Sequence, residues 1–129
     1  VIGTKSNTFE IIVECEIGDA QTVGMDVRAS DDFKSKNRIA FNAENAQLHL
    51  DGYSAAFELL EGEDVLRLHV FVDRSVLEVF VNRRECGTLQ PFHNIEDQAM
   101  RLFSEGGTAR IRSVDVWEMD SIWRRPTQD

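Results

Sequence analysis

Leu66-Arg-Leu-His-Val-Phe-Val-Asp-Arg-Ser-Val-Leu-Glu-Val-Phe-Val-Asn82 is the stretch of sequence that decides the fold of this chain. Aliphatic side chains recur at every second position on both sides of the polar group Asp73-Arg-Ser75. This period is that of a β-strand with one buried face, and it occurs twice in succession. The stretch therefore predicts a β-hairpin whose two strands each bury one face.

The register of this hairpin follows from the length of its loop. If Arg74 and Ser75 form a two-residue loop, Val70 faces Val79, and the branched aliphatic side chains of both strands lie on one side. A shift by one residue would place Val70 opposite Glu78 and would mix apolar and charged residues on both faces. Burial therefore favours the two-residue hairpin.

The other side of the hairpin is less polar than the surface of a β-domain usually is. It carries Arg67, His69 and Phe71 from the first strand and Val76, Glu78 and Phe80 from the second. An exposed apolar patch usually marks a covering partner or a ligand. Cover by another module, cover by the domain's own loops and a sugar platform all remain open. The candidate interface residues are His69, Phe71, Val76 and Phe80.

Strand signals also dominate the rest of the chain. Alternating or short apolar segments predict strands at Thr8–Ile17, Thr22–Ala29, Arg38–Asn42, Gln47–Asp51, Ala55–Leu60, Glu85–Leu89, Gln98–Ser104 and Ala109–Glu118. Strands at short, regular intervals with turn residues between them indicate one all-β domain built as a β-sandwich. A short turn near Ile95–Ala99 is the best helix candidate, and the tail Arg124–Asp129 is predicted to be loose.

Composition limits the classes of function. The 129 residues suit one domain. Asp and Glu number 23 against 14 Lys and Arg, a net charge of −9, which repels nucleic-acid phosphates and anionic lipids. No apolar run approaches the roughly 20 residues that span a bilayer, and Val1–Lys5 shows no signal peptide. We therefore expect neither a nucleic-acid nor a membrane partner, whereas a neutral sugar is compatible with this charge.

The cysteines and histidines do not predict a cofactor. Cys15 and Cys86 are too few for a disulfide framework, so buried free thiols are expected, with a single bridge between two strands as the alternative. The histidines are His49, His69 and His93, and none stands at a spacing typical of metal ligands. We expect no metal and no cofactor.

The acidic residues do not predict a catalytic pair. Hydrolysis of a glycosidic bond needs two carboxylates about 5–9.5 Å apart across the sugar. Asp73 and Glu78 flank the hairpin loop, but nothing in the pattern indicates a cleft. Asp73 suits a turn in which its carboxylate accepts hydrogen bonds from backbone N–H groups. Glu85 follows a turn among polar neighbours, so nothing would raise its pKa as a general acid requires. No catalytic residue is predicted in this chain.

At this point the hairpin stretch resembles the C-terminal domain of glycoside hydrolase family 32, which contains invertases, levanases, inulinases and sucrose-6-phosphate hydrolases. The resemblance continues in Leu102-Phe-Ser-Glu-Gly-Gly107 and Val114-Asp-Val-Trp-Glu-Met-Asp-Ser-Ile-Trp123, and Thr8-Phe-Glu-Ile11 is similar to the family's opening strand. It covers roughly residues 7 to 123. It implies a two-sheet antiparallel sandwich of the concanavalin A-like, lectin-like jelly-roll type.

The resemblance also implies a function. In the family this module follows a five-bladed propeller that holds the catalytic carboxylates and acts on β-fructosides, and the propeller's marker motifs do not occur here. The implied role is a non-catalytic module that supports the propeller by packing, with a homodimer as a further partner. The alternative is a carbohydrate-binding module for fructans such as levan or inulin. Its candidate sugar-binding residues are Tyr53, Asp51, Arg74 and Trp117, although Trp117 also suits a core position.

Three places depart from the usual family pattern, one of them being Thr88-Leu-Gln-Pro-Phe92, where the family usually reads Thr-Ser-Arg-Phe-Pro. Leu50-Asp-Gly-Tyr-Ser54 stands where the family often repeats Asp-Arg-Ser. The turn after Asn82 is often Asp-Gly or Gly in the family, whereas here it is Arg83-Arg84. A tight primed turn is therefore expected to be disfavoured at this point.

Overall fold

The computed structural model describes residues 8–73, 76–89 and 99–118. Within these ranges the chain forms ten β-strands. They are β1 (Phe9–Glu16), β2 (Thr22–Ala29), β3 (Asn37–Asn42), β4 (Gln47–Leu50), β5 (Tyr53–Ala56), β6 (Val65–Val72), β7 (Leu77–Val81), β8 (Glu85–Leu89), β9 (Ala99–Glu105) and β10 (Arg110–Glu118). Most of the predicted strands are confirmed to within one or two residues.

The strands form two antiparallel sheets of five strands each. The hairpin sheet has the order β10-β1-β6-β7-β8, and the second sheet has the order β5-β4-β3-β2-β9. Each sheet turns one face toward the other, and the apolar side chains of both inner faces form a single core. The predicted all-β sandwich is therefore confirmed.

The hairpin has the register that burial favoured. Val70 pairs with Val79, and Phe71 pairs with Glu78. The backbone N–H of Asp73 donates to the carbonyl of Val76 at 2.9 Å and so closes the loop. The inward side chains of β6 and β7 are almost fully buried, and each contributes about 1.5–3 kcal/mol relative to an exposed position.

The turn between β7 and β8 differs from the expectation. Asn82 and Arg83 both have positive φ, 49° and 59°, and the N–H of Arg84 donates to the carbonyl of Val81 at 3.0 Å. Two consecutive residues with positive φ are the mark of a primed turn. The expectation that Arg83-Arg84 would disfavour such a turn is wrong.

Side-chain contacts explain this turn. Asn82, a residue type that tolerates positive φ, accepts a hydrogen bond from the N–H of Arg67 at 2.6 Å and donates to the carbonyl of Val65 at 3.1 Å. Arg84 donates to both oxygens of Glu63, at 2.8 and 2.9 Å. Contacts with β6 and with Glu63 just before it therefore hold a turn that the residues after Asn82 would not adopt by themselves.

The segment around β5 also differs from its prediction. The strand begins at Tyr53 rather than at Ala55, because Asp51 has a φ of 55° and reverses the chain at once. Phe57 then turns into the core, where its ring meets that of Phe41 edge-on at 5.8 Å. The predicted Ala55–Leu60 strand thus ends at Ala56. The helix candidate and the tail fall outside the described ranges, apart from Ala99, which begins β9.

The two cysteines are both free but differ in environment. Cys15 is buried in β1, and burial raises the pKa of its thiol to about 11. Cys86 is exposed on β8, where it pairs with Phe80. The expected burial is confirmed for Cys15 and is wrong for Cys86, because residue 86 points away from the core. The described residues contain no helix that is long and apolar enough to span a membrane.

Candidate functional site

Three aromatic rings cluster on the outer side of the hairpin sheet. The rings of His69 and Phe71 lie 4.5 Å apart, and the rings of Phe71 and Phe80 meet edge-on at 5.9 Å. The ring of His69 also lies 6.1 Å from that of Phe80. All three side chains are partly buried. We call this surface the aromatic face, and it brings together three of the four candidate interface residues.

Val76, the fourth candidate, precedes β7 and is also partly buried. It lies two residues before the exposed Glu78 and pairs with Asp73 through the hydrogen bond that closes the hairpin loop. Its position therefore continues the aromatic face toward this loop.

Charged side chains of β1 border the aromatic face. Nε2 of His69 lies 2.5 Å from Oε2 of Glu10. The two side chains form an ion pair whenever the imidazole is protonated. Nε of Arg67 lies 3.4 Å from Oε2 of Glu14, an ion-pair distance without the geometry of a hydrogen bond. The aromatic face is thus apolar at its centre and charged at its border.

The candidate sugar-binding aromatics are both exposed. Tyr53 on β5 has 65% of its surface exposed, and Trp117 on β10 has 48%. The core position considered for Trp117 is therefore wrong. Trp117 pairs with Glu10, so its side chain lies on the outer side of the hairpin sheet and not between the sheets.

The structure does not bring these two aromatics together. Leu102 of β9 and Ile111 of β10 line one apolar cavity of 150 Å³ between the sheets. At the other side of the sandwich β8 lies over β4, because a side chain added at Gly87 of β8 would meet Leu50 of β4. Since β5 follows β4 at that side, Tyr53 and Trp117 stand at opposite sides of the sandwich and do not form one platform.

Asp51, the third sugar candidate, is occupied by hydrogen bonds within the chain. Its Oδ2 accepts from Nδ2 of Asn37 at 2.8 Å, and its Oδ1 accepts from the N–H of Arg38 at 2.7 Å. These bonds join the turn after β4 to the start of β3. Arg74, the fourth candidate, lies outside the described residues.

The outer side of the second sheet holds a buried carboxylate that sequence reasoning missed. Asp26 is fully buried, and Arg38 donates to both of its oxygens, at 2.8 and 3.0 Å. Nε of Arg101 donates to Oδ2 of Asp26 at 2.9 Å. Burial alone would raise the pKa of Asp26, but the hydrogen bonds and charges of the two arginines outweigh it, so the pKa is lowered.

Two phenylalanines complete this group, which we call the arginine cluster. The guanidinium of Arg38 lies 4.2 Å from the ring centre of Phe103, and that of Arg101 lies 4.2 Å from the ring centre of Phe33. Each arginine side chain remains about one-third exposed, at 34% and 35%. The cluster fastens β2 to its neighbours β3 and β9 and to the loop before β3.

Another buried charge connects the two sheets. Arg28 is buried at a bulge near the end of β2, has a φ of 48°, and donates from Nη1 to the carbonyl of Asp73 at 3.4 Å. This contact joins the second sheet to the hairpin loop. The alternation of β2 grouped Asp26 and Arg28 on the polar side of the strand without indicating that both are buried.

The described part of the chain contains no group of three or more His, Cys, Asp or Glu side chains placed to hold a metal ion. Glu78 is exposed and stands opposite Phe71, and Glu85 is partly buried at the start of β8. The proposed turn role of the Asp73 carboxylate stays a prediction, while its backbone N–H does close the hairpin.

Two five-stranded antiparallel sheets packed face to face define a lectin-like β-sandwich. The family model described as "Glycosyl hydrolases family 32 C terminal" matches residues 2–118. The chain therefore belongs to the C-terminal domain family of glycoside hydrolase family 32, as the resemblance of the hairpin stretch predicted.

The curated relatives of this chain include an inulinase and a levanase. The chain is 26% identical to an extracellular exo-inulinase of Aspergillus awamori over 93% of this chain and 25% of that protein. It is 25% identical to a levanbiose-producing levanase of Bacillus subtilis over 94% of this chain and 26% of that protein. The chain thus spans about a quarter of the length of these relatives.

Solved structures give the same fold. The exo-inulinase of Aspergillus awamori matches with a TM-score of 0.79 at 26% identity, over 94% of this chain and 26% of that one. A galectin of Caenorhabditis elegans matches with a TM-score of 0.67 at 11% identity, over 91% of this chain and 87% of that one. At that identity the galectin shows a shared sandwich fold alone.

Proposed function

We propose that this chain is a non-catalytic domain of a β-fructoside-cleaving hydrolase and that its aromatic face packs against the catalytic propeller. The observation that carries the proposal is the cluster of His69, Phe71 and Phe80, whose rings remain partly exposed within this chain. The activity proposed for the whole protein is supported by the family and by relatives named inulinase and levanase.

Physical chemistry favours the aromatic face as the contact surface. Covering apolar ring surface gains about 25 cal/mol per Å² removed from water. The rings already contact one another, so docking costs less side-chain entropy than it would for free side chains. The charges of Glu10 and Arg67 at the border supply the polar rim that interfaces usually have and can fix the orientation of the partner.

In this proposal the two carboxylates that cleave the fructoside belong to the catalytic domain. Several acidic residues of this chain already have structural partners, which supports a structural role. Asp26 binds two arginines, Asp51 holds the turn after β4, and Glu63 holds Arg84 beside the turn between β7 and β8.

The test compares the whole hydrolase with the 129-residue chain. Phe71→Asp together with Phe80→Asp should lower the melting temperature of the whole hydrolase by about 5 °C or more, because charged groups replace the apolar contact. The KM for inulin and the kcat of the enzyme that remains folded should stay unchanged. In the 129-residue chain the same two substitutions should lower the melting temperature distinctly less.

Ala56→Asp is the matched control, since Ala56 is exposed on β5 of the other sheet and pairs with the uncharged Gln47. It should leave both proteins close to wild type. A double variant that leaves the whole hydrolase unchanged, or that destabilises the isolated chain equally, would contradict packing through this face.

A second candidate function is fructan binding. The observation in its favour is the exposure of Trp117 and Tyr53, since sugars stack on exposed aromatic rings. Titration of the 129-residue chain with levan and with inulin, followed by amide chemical shifts, should then move signals around one of these residues. Trp117→Ala and Tyr53→Ala should each abolish only their own response. Unchanged spectra at millimolar sugar would remove this candidate.

A further inference from the structure

The outer edge of the hairpin sheet is unpaired in the described part of the chain and exposes apolar side chains among charged ones. β10 pairs with β1 on one side, and no other described strand pairs with its second side. Ile111, Val116 and Trp117 of this strand are 54%, 36% and 48% exposed. The other large apolar residues exposed to this degree in the described ranges are Tyr53 and Leu60. An unpaired edge strand offers free backbone N–H and C=O groups to another chain, and its exposed apolar side chains add surface that such pairing would cover.

The hydrogen-bonding direction of β10 can be read from its neighbours. The N–H of Ile17 donates to the carbonyl of Asp64 at 3.0 Å, in the same register that pairs β1 with β6. Backbone groups alternate in direction along an antiparallel strand. The odd-numbered residues of β1 therefore point their N–H and C=O groups to β6, and the even-numbered ones point theirs to β10.

The same alternation applies to β10. Ile12 is even-numbered and pairs with Asp115, so the backbone groups of Asp115 face β1. The backbone groups of Val114 and Val116, on either side of Asp115, then face the open edge. The edge thus offers donors and acceptors where the exposed apolar side chains also lie.

We propose that β10 pairs antiparallel with β10 of a second copy of this chain, about a two-fold axis at Val114. The two hairpin sheets then form one continuous sheet across the dimer. Two-fold symmetry makes the contact self-complementary, so the pair closes as a dimer and leaves no free edge at this strand. The rings of the aromatic face lie on β6 and β7, two strands or more away from this edge, so the inference stands apart from the proposed function.

The faces of the strand agree with this register. Ser113 pairs with Glu14 while Ile111 pairs with Cys15, so Arg112 is an extra, bulged residue. Because of this bulge, Ile111 lies on the inner side together with Val114 and Val116. A continuous sheet requires that residues facing each other lie on the same side, and pairing about Val114 meets this condition.

The chemistry of the facing residues favours a second copy as the partner. The register places Ile111 opposite Val116 of the second copy, which covers two exposed aliphatic side chains. It places Arg110 opposite Trp117, a cation–π pair, and Ser113 opposite Asp115, a donor and an acceptor. The strand carries its arginines in the first half and its aspartate and tryptophan in the second. Antiparallel self-pairing therefore joins an arginine to an aromatic ring and a hydroxyl to a carboxylate, in addition to the aliphatic pair.

Sedimentation velocity of the 129-residue chain tests the dimer. The chain should show a concentration-dependent monomer–dimer equilibrium that tightens with added salt, because two chains of net charge −9 repel each other. Ile111→Lys should weaken the dimer at least about tenfold, since it replaces the aliphatic contact with Val116 of the second copy by a charge that pairing would desolvate. Tyr53→Lys is the control, because it places the same charge on the edge strand of the other sheet.

A chain that stays monomeric at several hundred micromolar would overturn the proposal, and so would equal weakening by the Tyr53→Lys control. A cysteine variant tests the register without weakening the strand. In a Cys86→Ser background, Val114→Cys places two thiols opposite each other, at a Cα separation of about 5.5 Å that a disulfide can span. Mild oxidation should give a covalent dimer, whereas Ser54→Cys on β5 should not. Equal cross-linking of the two variants would also reject the β10 contact.

Discussion

The carboxylate of Asp26 is fully buried and holds the guanidinium of Arg38 through two hydrogen bonds, at 2.8 and 3.0 Å. A buried charge is tolerated when its hydrogen-bonding capacity is met, and a second arginine, Arg101, completes the set here. The pair therefore stabilises the sandwich only while all of its members are present.

Asp26→Asn should destabilise the 129-residue chain by about 2–3 kcal/mol. Breaking a buried pair costs about 3–5 kcal/mol, and the partial exposure of both arginines, which water can then reach, reduces this value. Urea unfolding measures the change. Asp32→Asn is the control, because Asp32 is exposed and bonds only within its own loop. If Asp26→Asn lowered the free energy of unfolding by less than about 0.5 kcal/mol, the arginine cluster would contribute little to stability.

Acid should weaken the fold through Glu63 and Asp26. Hydrogen bonds from Arg84 are the main cause that lowers the pKa of Glu63 from 4.5 to about 2, and the pKa of Asp26 also lies below its ordinary value. A lowered folded-state pKa adds stability above the unfolded pKa, and this stability is lost as the pH falls through the folded value. The urea concentration at the unfolding midpoint should therefore decrease as the pH falls below about 4.5. Arg84→Gln should make this dependence on pH shallower. An unchanged slope in this variant would assign the acid sensitivity to other groups.

Asn82→Ala should cost about 2–3 kcal/mol. The variant places alanine at a φ of 49° and leaves the N–H of Arg67 without its acceptor. Asn82→Gly keeps the backbone freedom and removes only the side-chain bonds, so it should cost less. Chemical denaturation separates the two effects. Equal losses for both variants would assign the whole cost to the lost side-chain bonds.

Gly24→Ala should destabilise the second sheet, since a Cβ there would meet the carbonyl oxygen of Ile39 and would lie 2.8 Å from Cα of Ala40. Backbone atoms cannot move aside cheaply, so we expect a loss of about 2–3 kcal/mol. Gly52→Ala is the matched control, because nothing lies within 4 Å of the added atom. Thermal unfolding of both variants checks the difference, and similar melting temperatures would disprove the close approach at Gly24.

The two thiols should react differently in the folded chain. Cys86 is exposed, whereas burial keeps Cys15 protonated with a pKa of about 11. A thiol reagent at pH 8 should therefore label one cysteine per native chain and two in urea, and Cys86→Ser should remove the native signal. Rapid labelling of Cys15 in the native chain would contradict its burial.

The hairpin could be predicted because its determinants are local. Alternation around Asp73 and the length of the loop together allow one register that keeps Val70 opposite Val79, and no distant contact is needed to choose it. The predicted aromatic face follows from the same register, since Phe71 and Phe80 must then lie on the opposite side of the sheet from the aliphatic core. For this hairpin, the alternating pattern and the loop length were together sufficient to predict the register and the two faces.

The remaining features depend on contacts that the pattern does not contain. The primed turn at Asn82 rests on bonds to Val65 and Arg67 of β6, and the early start of β5 rests on the backbone at Asp51. The arginine cluster needs the strand order β3-β2-β9, which alternation leaves open. The one local signal was the presence of Asp26 and Arg28 in the strand that contains Val23 and Val27.

The connections of Asp26 have a consequence for the order of folding. Its partners stand 12 residues away at Arg38 and 75 residues away at Arg101. The nearer bond can form as soon as β2 and β3 meet, but the farther one requires closure of a long loop, whose entropy cost grows with length. During synthesis Asp26 can therefore pair with Arg38 but not with Arg101 until β9 has emerged from the ribosome. The ion-pair cluster around Asp26 is therefore complete only after the chain as far as Arg101 has left the ribosome.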